Sequence, residues 1–280
     1  MENFPYLCRK KKMKENQLKF SKDEVFKFYE YYNTGHSIKE TANHFNIKYR
    51  EILHYLIYFG YYKPKRKQSK VHNLCDNPRF FNKIDSEIKA YFLGLLMSDG
   101  YIITTLYNKE VGIALKASDK YILDILNENI SPLKKISRYK NSYKWKVISK
   151  DMYEDLKHHG ILENKSHIDY HYPQIPKKFD KDFIRGYFDG DGCISVKSTG
   201  YSVISFCSNS KLFLQELASK LLYYGIQTRP IFTTTRGRLS EFHTLYISGG
   251  INKGIFKKFL YTDATIFLKR KYEKFKEIPC

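Results

Sequence analysis

The sequence lacks the features that mark secreted and membrane proteins. Its five cysteines are odd in number, scattered and never spaced as C-x-x-C, which argues against a disulfide framework and a structural zinc site. No apolar run approaches the roughly 20 residues that a membrane-spanning helix needs. The opening "MENFPYLCRKKKMKEN" continues its basic run with polar residues rather than with an apolar segment. We therefore expect an intracellular protein with free thiols and no membrane partner.

Acidic residues are also scarce relative to basic ones. The 280 residues contain 29 Asp and Glu against 49 Lys and Arg, a formal net charge of +20. An excess of this size favours a polyanionic partner, and nucleic acid is the commonest one. The hydrophobic content of 42% is enough for a folded core, and the length allows one large domain or two.

The segment from residue 35 to 61, "GHSIKETANHFNIKYREILHYLIYFGY", predicts two short helices with a tight turn. Ser37 and Glu40 have the spacing of a capping box, which predicts a helix from Ile38 to about residue 45. Asn46 is suited to a left-handed turn, and a second helix follows from about residue 48. The pattern resembles a DNA-binding helix-turn-helix, although a plain helical hairpin could show it too. Residues of the second helix that would face DNA are Lys48, Tyr49, Arg50 and His54.

A basic connector follows this module. The stretch "YYKPKRKQSK" at 61–70 combines proline with a dense run of basic side chains and cannot build a core. We therefore expect a helical N-terminal module over 1–62 and a linker over 63–80.

The rest of the chain contains an internal repeat. "YFLGLLMSDG" at 91–100 aligns with "FIRGYFDGDG" at 183–192 on an offset of 92, which pairs Gly94 with Gly186 and Asp99 with Asp191. Each copy is followed by a strand pair, a helix, a second strand pair and a helical segment. The repeat predicts an α+β fold with two pseudo-symmetric αββαββα halves, over 81–165 and 166–280.

Small side chains recur along both motif segments. They stand at 90, 94 and 98 in the first copy and at 186 and 190 in the second, so mostly small residues line one side of each helix. Two such helices can pack closely through Gly94 and Gly186. Packing in parallel would bring Asp99 and Asp191 together, and adjacent carboxylates repel unless a cation lies between them.

These residues resemble the LAGLIDADG homing endonucleases in their single-chain, two-motif form, over roughly residues 80 to 278, and "KDFIRGYFDGDGCI" is especially close to the family pattern. The resemblance implies that the motif helices form the interface between the halves, and that two four-stranded sheets form a saddle in the DNA major groove. It also implies that Asp99 and Asp191, with the carbonyl groups of Ser98 and Gly190, bind the metal. Oxygen ligands of this kind suit Mg²⁺, and Mn²⁺ could substitute.

The resemblance further implies a basic residue near each scissile phosphate, after the last helix of each half. Lys165 and Lys271 are the candidates, with Arg270 second. The first motif departs from the family pattern at Met97 and Ser98, where the second has Asp189 and Gly190. Asp189 could cap a helix, cross the interface or face solvent, and we leave it out of the catalytic pair.

Strand alternation predicts which side chains of the saddle face DNA. In "KWK", Trp145 would point inward and its neighbouring lysines outward. A solvated strand face is the alternative for any single residue. The full set of expected saddle contacts is Lys116, Arg138, Lys140, Lys144, Lys146, Lys197, Arg229, Thr233, Arg236 and Arg238.

The resemblance, together with the basic charge, implies a monomeric, Mg²⁺-dependent endonuclease of intron homing type. It would make a double-strand break in a long asymmetric site in double-stranded DNA. The alternatives are an RNA maturase, with host intron RNA as a possible further partner, and a DNA-binding regulator without cleavage. An acid at both motif ends favours the nuclease, because a pure binder has no reason to hold two carboxylates near phosphates. A free-standing or intron-encoded enzyme is expected rather than an intein.

Overall fold

The computed structural model describes residues 19–62, 75–105, 108–165, 168–196, 202–235 and 241–278. The chain divides into two compact units, one within residues 1–70 and one within 71–280. Within the described ranges, none of the helices combines the length and apolar character that crossing a membrane requires.

The first unit is a small helical module with its own core. Two capping boxes start its first two helices, Ser21 with Glu24 and Ser37 with Glu40; the sequence analysis anticipated only the second. Asn46 has a φ of 51°, so it takes the left-handed turn conformation predicted for it. The core includes Val25 and Leu56, both fully buried. Its helices are α1 (Lys22–Asn33), α2 (Ile38–His44) and α3 (Tyr49–Tyr58).

The second unit contains two copies of the same succession of elements. In the first copy, the Ser86 side chain accepts a hydrogen bond from the Lys89 amide and caps the motif helix, and Ser149 caps the last helix in the same way. The elements are α4 (Glu87–Ser98), β1 (Gly100–Thr104), β2 (Lys109–Lys116), α5 (Lys120–Ile130), β3 (Ser137–Tyr139), β4 (Ser142–Ile148) and α6 (Lys150–His158).

The second copy repeats this order and adds a short terminal helix. Ser210 caps its middle helix through the Phe213 amide. The elements are α7 (Asp180–Asp191), β5 (Gly192–Val196), β6 (Ser202–Ser208), α8 (Lys211–Tyr223), β7 (Phe232–Thr234), β8 (Phe242–Ile247), α9 (Gly250–Tyr261) and α10 (Lys269–Lys274).

Each copy builds a four-stranded antiparallel sheet with the same topology. The strand orders are β1-β2-β4-β3 and β5-β6-β8-β7. In the first sheet α5 and α6 contact one face, and in the second α8 contacts the corresponding face. The predicted α+β architecture of two αββαββα halves is confirmed.

The start of the second unit differs from the predicted linker. Residues 75–80 were expected to belong to the connector, but the Asn77 amide donates to the Ile130 carbonyl and Phe80 is only 4% exposed. This segment therefore packs with the first αββαββα copy. Its aromatic pair Phe80 and Phe81 joins the core, a signal that the charge of the preceding stretch concealed.

Candidate active site

The motif helices α4 and α7 cross at two glycines. A Cβ atom on Gly94 would lie 2.1 Å from the Phe183 carbonyl oxygen, and one on Gly186 would lie 1.9 Å from that of Tyr91. Backbone therefore touches backbone on both sides, and no larger residue fits either position without movement. The predicted interface through Gly94 and Gly186 is the one that the structure contains.

The two helices run in the same direction and bring their C-terminal ends together. A Cβ on Gly190 would lie 1.9 Å from Ser98 Oγ and 3.2 Å from Asp99 Oδ2. Asp191, the last residue of α7, immediately follows Gly190. The structure thus places Asp99 and Asp191 at one end of the crossing, each from a different half.

The surroundings of these two acids disfavour negative charge. Burial, reinforced by the negative charge of Asp99, raises the pKa of Asp191 to about 6. Removal of water by neighbouring atoms likewise raises the pKa of Asp99, although Lys165, Lys271 and Arg270 oppose the shift. Two carboxylates in this arrangement are held at a cost that a bound cation would relieve.

Lys165 and Lys271 occupy equivalent positions in the two halves. The Lys165 ammonium donates to the carbonyl oxygens of residues 96, 97 and 98 at 2.9, 2.6 and 2.6 Å. That of Lys271 donates to Phe188, to Gly190 at 3.2 Å and to Gly192 at 2.5 Å. Each lysine therefore neutralises the C-terminal end of a motif helix, where carbonyl groups lack helical partners.

This geometry revises what the resemblance implied for the two lysines. Burial lowers the pKa of each to about 8, and Asp99 and Asp191 raise it in opposition, so both lysines do lie near the acid pair. Their ammonium protons, however, are directed to backbone carbonyls rather than to open space. In the structure, the contacts of the two lysines are thus with the ends of the motif helices.

Arg270 is a basic side chain near Asp99 that stays accessible. Its Nε donates to Asp119 Oδ2 at 2.8 Å; the arginine side chain is 42% exposed, and the aspartate side chain only 3%. Among the described residues no further hydrogen bond is formed by its two Nη groups. From the sequence, Arg270 is only the second candidate after Lys271, and Asp119 carries no signal beyond that of a polar residue ahead of α5.

Asp189 crosses the interface between the halves. Its Oδ2 accepts from the Tyr91 hydroxyl of α4 at 2.8 Å and from the Leu268 amide at 2.7 Å, while its Oδ1 has no partner among the described residues. Burial raises its pKa to about 6. Of the three roles left open for Asp189, the structure selects the interface.

Arg185 forms a second buried polar network that sequence reasoning missed. Its guanidinium is fully buried, pairs with Asp182 at 2.9 Å and Glu87 at 2.6 Å, and donates to the Ile266 and Leu260 carbonyls. Asp182 lies one helical turn away on α7, but the other partners, Glu87, Leu260 and Ile266, are distant along the chain and carry no sequence signal.

The residues present fit a divalent metal through the two carboxylates. Asp99 accepts no hydrogen bond among the described residues, and oxygen ligands of this kind suit Mg²⁺ and Mn²⁺. The fit of the predicted carbonyl ligands is poorer. The Ser98 carbonyl accepts from Lys165 at 2.6 Å, while the Gly190 carbonyl accepts from Lys271 at the longer distance of 3.2 Å.

The face of the first sheet opposite α5 and α6, called the uncovered face below with reference to the described residues, carries part of the predicted set. Trp145 is 1% exposed on the helix-covered face, and strand alternation puts Lys144 and Lys146 on the other. Lys116 is exposed on that same face. Arg138 pairs with Tyr143 and therefore shares the face of Trp145, contrary to expectation. Lys140, with a φ of 51°, lies exposed in the β3–β4 turn.

In the second sheet, too, only some of the predicted contact residues lie where the sequence places them. Arg229 is exposed and its amide donates to the Tyr246 carbonyl. Thr233 pairs with His243 and bonds its Nδ1 at 2.8 Å, so it points to the helix-covered face rather than to a groove. Lys197, Arg236 and Arg238 lie outside the described residues.

The predicted contact residues of the first unit lie at the start of α3. Lys48 is its N-cap, and Lys48, Tyr49 and Arg50 are exposed. His54 is half-buried, and its ring stacks on Tyr58 at a centroid distance of 6.3 Å. Lys48 and Arg50 are thus exposed to solvent at the N-terminal end of α3.

Comparison with known proteins finds a family-model match within the second half of the chain. Residues 178–260 match the family model described as LAGLIDADG-like domain, a segment that begins just before α7 and ends within α9. The resemblance found from the motif is confirmed there. A probable translation initiation factor IF-2 of Thermococcus kodakarensis is 36% identical over 85 residues, which are 30% of this chain and only 7% of that protein.

Solved structures with low sequence identity are also similar. Mesophilic variants of the homing endonuclease I-DmoI match with a TM-score of 0.46 and 18% identity, over 68% of this chain and 97% of theirs. The meganuclease I-SmaMI bound to uncleavable DNA matches with a TM-score of 0.48 and 12% identity, over 67% of this chain and 87% of its own.

Proposed function

We propose that this chain, whose residues 178–260 are a LAGLIDADG-like domain, is a site-specific endonuclease. It would cut both strands of a long, asymmetric double-stranded DNA site with the help of a divalent metal, Mg²⁺ or Mn²⁺. The observation that carries the proposal is the meeting of Asp99 and Asp191 at the ends of α4 and α7.

The two-fold repetition of the site favours a double-strand cut. One acid comes from each half, and a lysine caps the helix end beside each acid, so equivalent chemical groups are available for two phosphates. Divalent ions bound to such carboxylates supply Lewis-acid charge at a phosphate and a more acidic water. Within the chain, Asp99 and Asp191 would hold the ion, and Lys165 and Lys271 would fix the helix ends that carry them.

Arg270 supplies a difference between the two halves. Asn164 precedes Lys165 as Arg270 precedes Lys271, so only the second half offers an arginine at this position. Because Asp119 holds its Nε, the Nη groups of Arg270 are free to contact a phosphate oxygen near Asp99. Arg270 is therefore a better candidate for phosphate contact than either capping lysine.

The uncovered sheet faces and the exposed start of α3 support a DNA partner. Lysines on these surfaces can neutralise phosphates and contact base edges. The net charge of +20 provides the attraction. One polypeptide with two unequal halves would act as a monomer on an asymmetric site, and the helix-turn-helix-like module would add affinity.

The experiment that tests this function is selection of cleaved sites from a randomised duplex library. The protein is incubated with the library and Mg²⁺ or Mn²⁺, and the ends produced are sequenced. We expect one long motif to be cut on both strands. Asp99→Asn and Asp191→Asn should bind the selected duplex but not break both strands, whereas Asp151→Asn, at an exposed acid on α6, should cleave like the wild type.

Two results would contradict the proposal. If no library duplex is cleaved, while the wild type and all three variants bind one duplex sequence specifically, the chain is a DNA-binding regulator. If the protein binds structured RNA in preference to any duplex, the maturase alternative takes its place.

A further inference from the structure

A carboxylate lies in the middle of the basic face of the first sheet. Glu110 on β2 shares the uncovered face with Gly112, Ala114 and Lys116, because alternate residues of a strand point the same way. Its neighbours across the sheet are Tyr101 on β1 and Lys146 on β4. An acid is unexpected on a surface whose other charges favour DNA, so its contacts determine what it does there.

The sequence makes room for one of these contacts at Gly112. Tyr101 pairs with Gly112, and a Cβ on that glycine would lie only 2.4 Å from the Tyr101 hydroxyl oxygen. The tyrosine ring therefore lies flat across β2. Its hydroxyl donates to Glu110 Oε1 at 2.6 Å, a bond that a larger residue at 112 would prevent.

The second oxygen of Glu110 holds a lysine. Lys146 Nζ donates to Glu110 Oε2 at 3.0 Å; the lysine side chain is 44% exposed and the glutamate side chain 16%. Burial alone would raise the pKa of Glu110, but the bonds from Tyr101 and Lys146 lower it below its ordinary value. Glu110 is thus ionised, and one ammonium proton of Lys146 is committed to it.

The remaining donors of Lys146 point away from this fixed anchor. A lysine ammonium has three donors, so Lys146 keeps two for a ligand while the pair as a whole is neutral. Lys116 offers a contrast on the same strand face. It is exposed, and among the described residues it has no acidic partner.

We propose that Lys146, anchored by Glu110 and Tyr101, reads a guanine edge in the major groove, whereas Lys116 binds phosphate. A neutral, oriented pair adds little to counterion release but has directed donors, and guanine presents two adjacent acceptors, N7 and O6. An unpaired, exposed lysine contributes fully to counterion release, but its donors have no fixed direction. This inference rests on the proposed function, since it needs a specific DNA site.

The test compares binding of variants to duplexes derived from the selected site. For each single-base change and for several salt concentrations, the dissociation constant is measured in Ca²⁺ or without metal, so that cleavage does not interfere. Lys146→Ala should lose about 5- to 150-fold of discrimination at one G·C pair, with little change in the salt slope. Lys116→Ala should weaken all duplexes alike and reduce the salt slope by about 1.

A third variant, Glu110→Gln, is measured in the same binding experiments. It keeps an acceptor for Tyr101 but removes the charge that neutralises Lys146. Discrimination at the same pair should fall, and the salt slope should increase in magnitude by up to about 1 as Lys146 becomes an ordinary phosphate contact. Circular dichroism and thermal unfolding of each variant establish that the sheet is intact, and Lys146→Met replaces Lys146→Ala if the shorter side chain unfolds it.

The outcomes separate this inference from the function on which it rests. If the wild type binds and cuts a specific site but Lys146→Ala changes only the salt slope, or leaves base preference unaltered at every position, the inference is wrong and the endonuclease stands. If the wild type neither selects nor binds any duplex specifically, the proposed function fails, and the inference fails with it.

Discussion

Introducing a methyl group at the helix crossing should be far more costly than a glycine-to-alanine change elsewhere. A Cβ at position 186 would lie 1.9 Å from the Tyr91 carbonyl oxygen, and one at 94 would lie 2.1 Å from that of Phe183. An ordinary carbon–oxygen contact is roughly 3.3 Å, so each substitution forces the backbones apart by more than roughly 1 Å. No rotamer change can relieve a contact between main chains.

The size of the effect follows from two opposing contributions. Overpacking of a well-packed core costs about 1–3 kcal/mol and more when backbone must move, while alanine gains up to about 1 kcal/mol in helix propensity. We expect Gly94→Ala and Gly186→Ala each to lose about 2 kcal/mol or more of unfolding free energy in urea denaturation. Displacement of the helix ends should also separate Asp99 from Asp191.

Gly254→Ala is the matched control for this prediction. Gly254 lies within α9, is exposed, and has no atom within 4 Å of an added Cβ. Its substitution should stabilise the protein by about 0.5–1 kcal/mol. Alanine variants at 94 and 186 that are as stable as the wild type, or an equal effect of all three substitutions, would contradict a backbone clash at the crossing.

Two further predictions concern the buried charges. Lys271→Met should destabilise the protein by about 2–4 kcal/mol in urea denaturation, because three carbonyl groups at the end of α7 lose their donor. The control is Lys274→Met, at an exposed lysine of α10, the helix that also contains Lys271; it should change the stability by less than about 0.5 kcal/mol. Equal effects of the two substitutions would exclude the capping role. For Asp189, a folded pKa of about 6 above the unfolded value means that its contribution to stability is complete below about pH 4 and is lost as the pH rises through 6. The stability of Asp189→Asn relative to the wild type should therefore increase by up to about 3 kcal/mol between pH 4 and 7, and a difference independent of pH would contradict this.

Local patterns in the sequence predict the elements and the central pair well. The offset of 92 between the motif copies anticipates two sheets of one topology, and the glycines at 94 and 186 anticipate the crossing. Asn46 has the backbone conformation that its residue type suggests. These features depend on residues close together along the chain or on exact repetition, and both are visible in a single sequence.

A single sequence does not show which residues that are far apart along the chain are in contact. Lysine near an acid pair suggests catalysis, and only the structure shows that Lys165 is held by three carbonyls of α4. Arg138 and Thr233 lie in strands of three residues, too short for alternation to fix their faces. The alternation of β2 could have placed Glu110 on the same sheet face as Lys116, but its bonds to Tyr101 and Lys146 come from other strands.

The position of a divalent ion in the protein–DNA complex is the most decisive test of metal binding by Asp99 and Asp191. Crystals grown with the selected duplex and Mn²⁺ would show the ion by its anomalous scattering. We expect an anomalous peak within coordination distance of the Asp99 and Asp191 carboxylates, next to a DNA phosphate. Mn²⁺ bound elsewhere, with these two carboxylates turned away from the DNA, would contradict it.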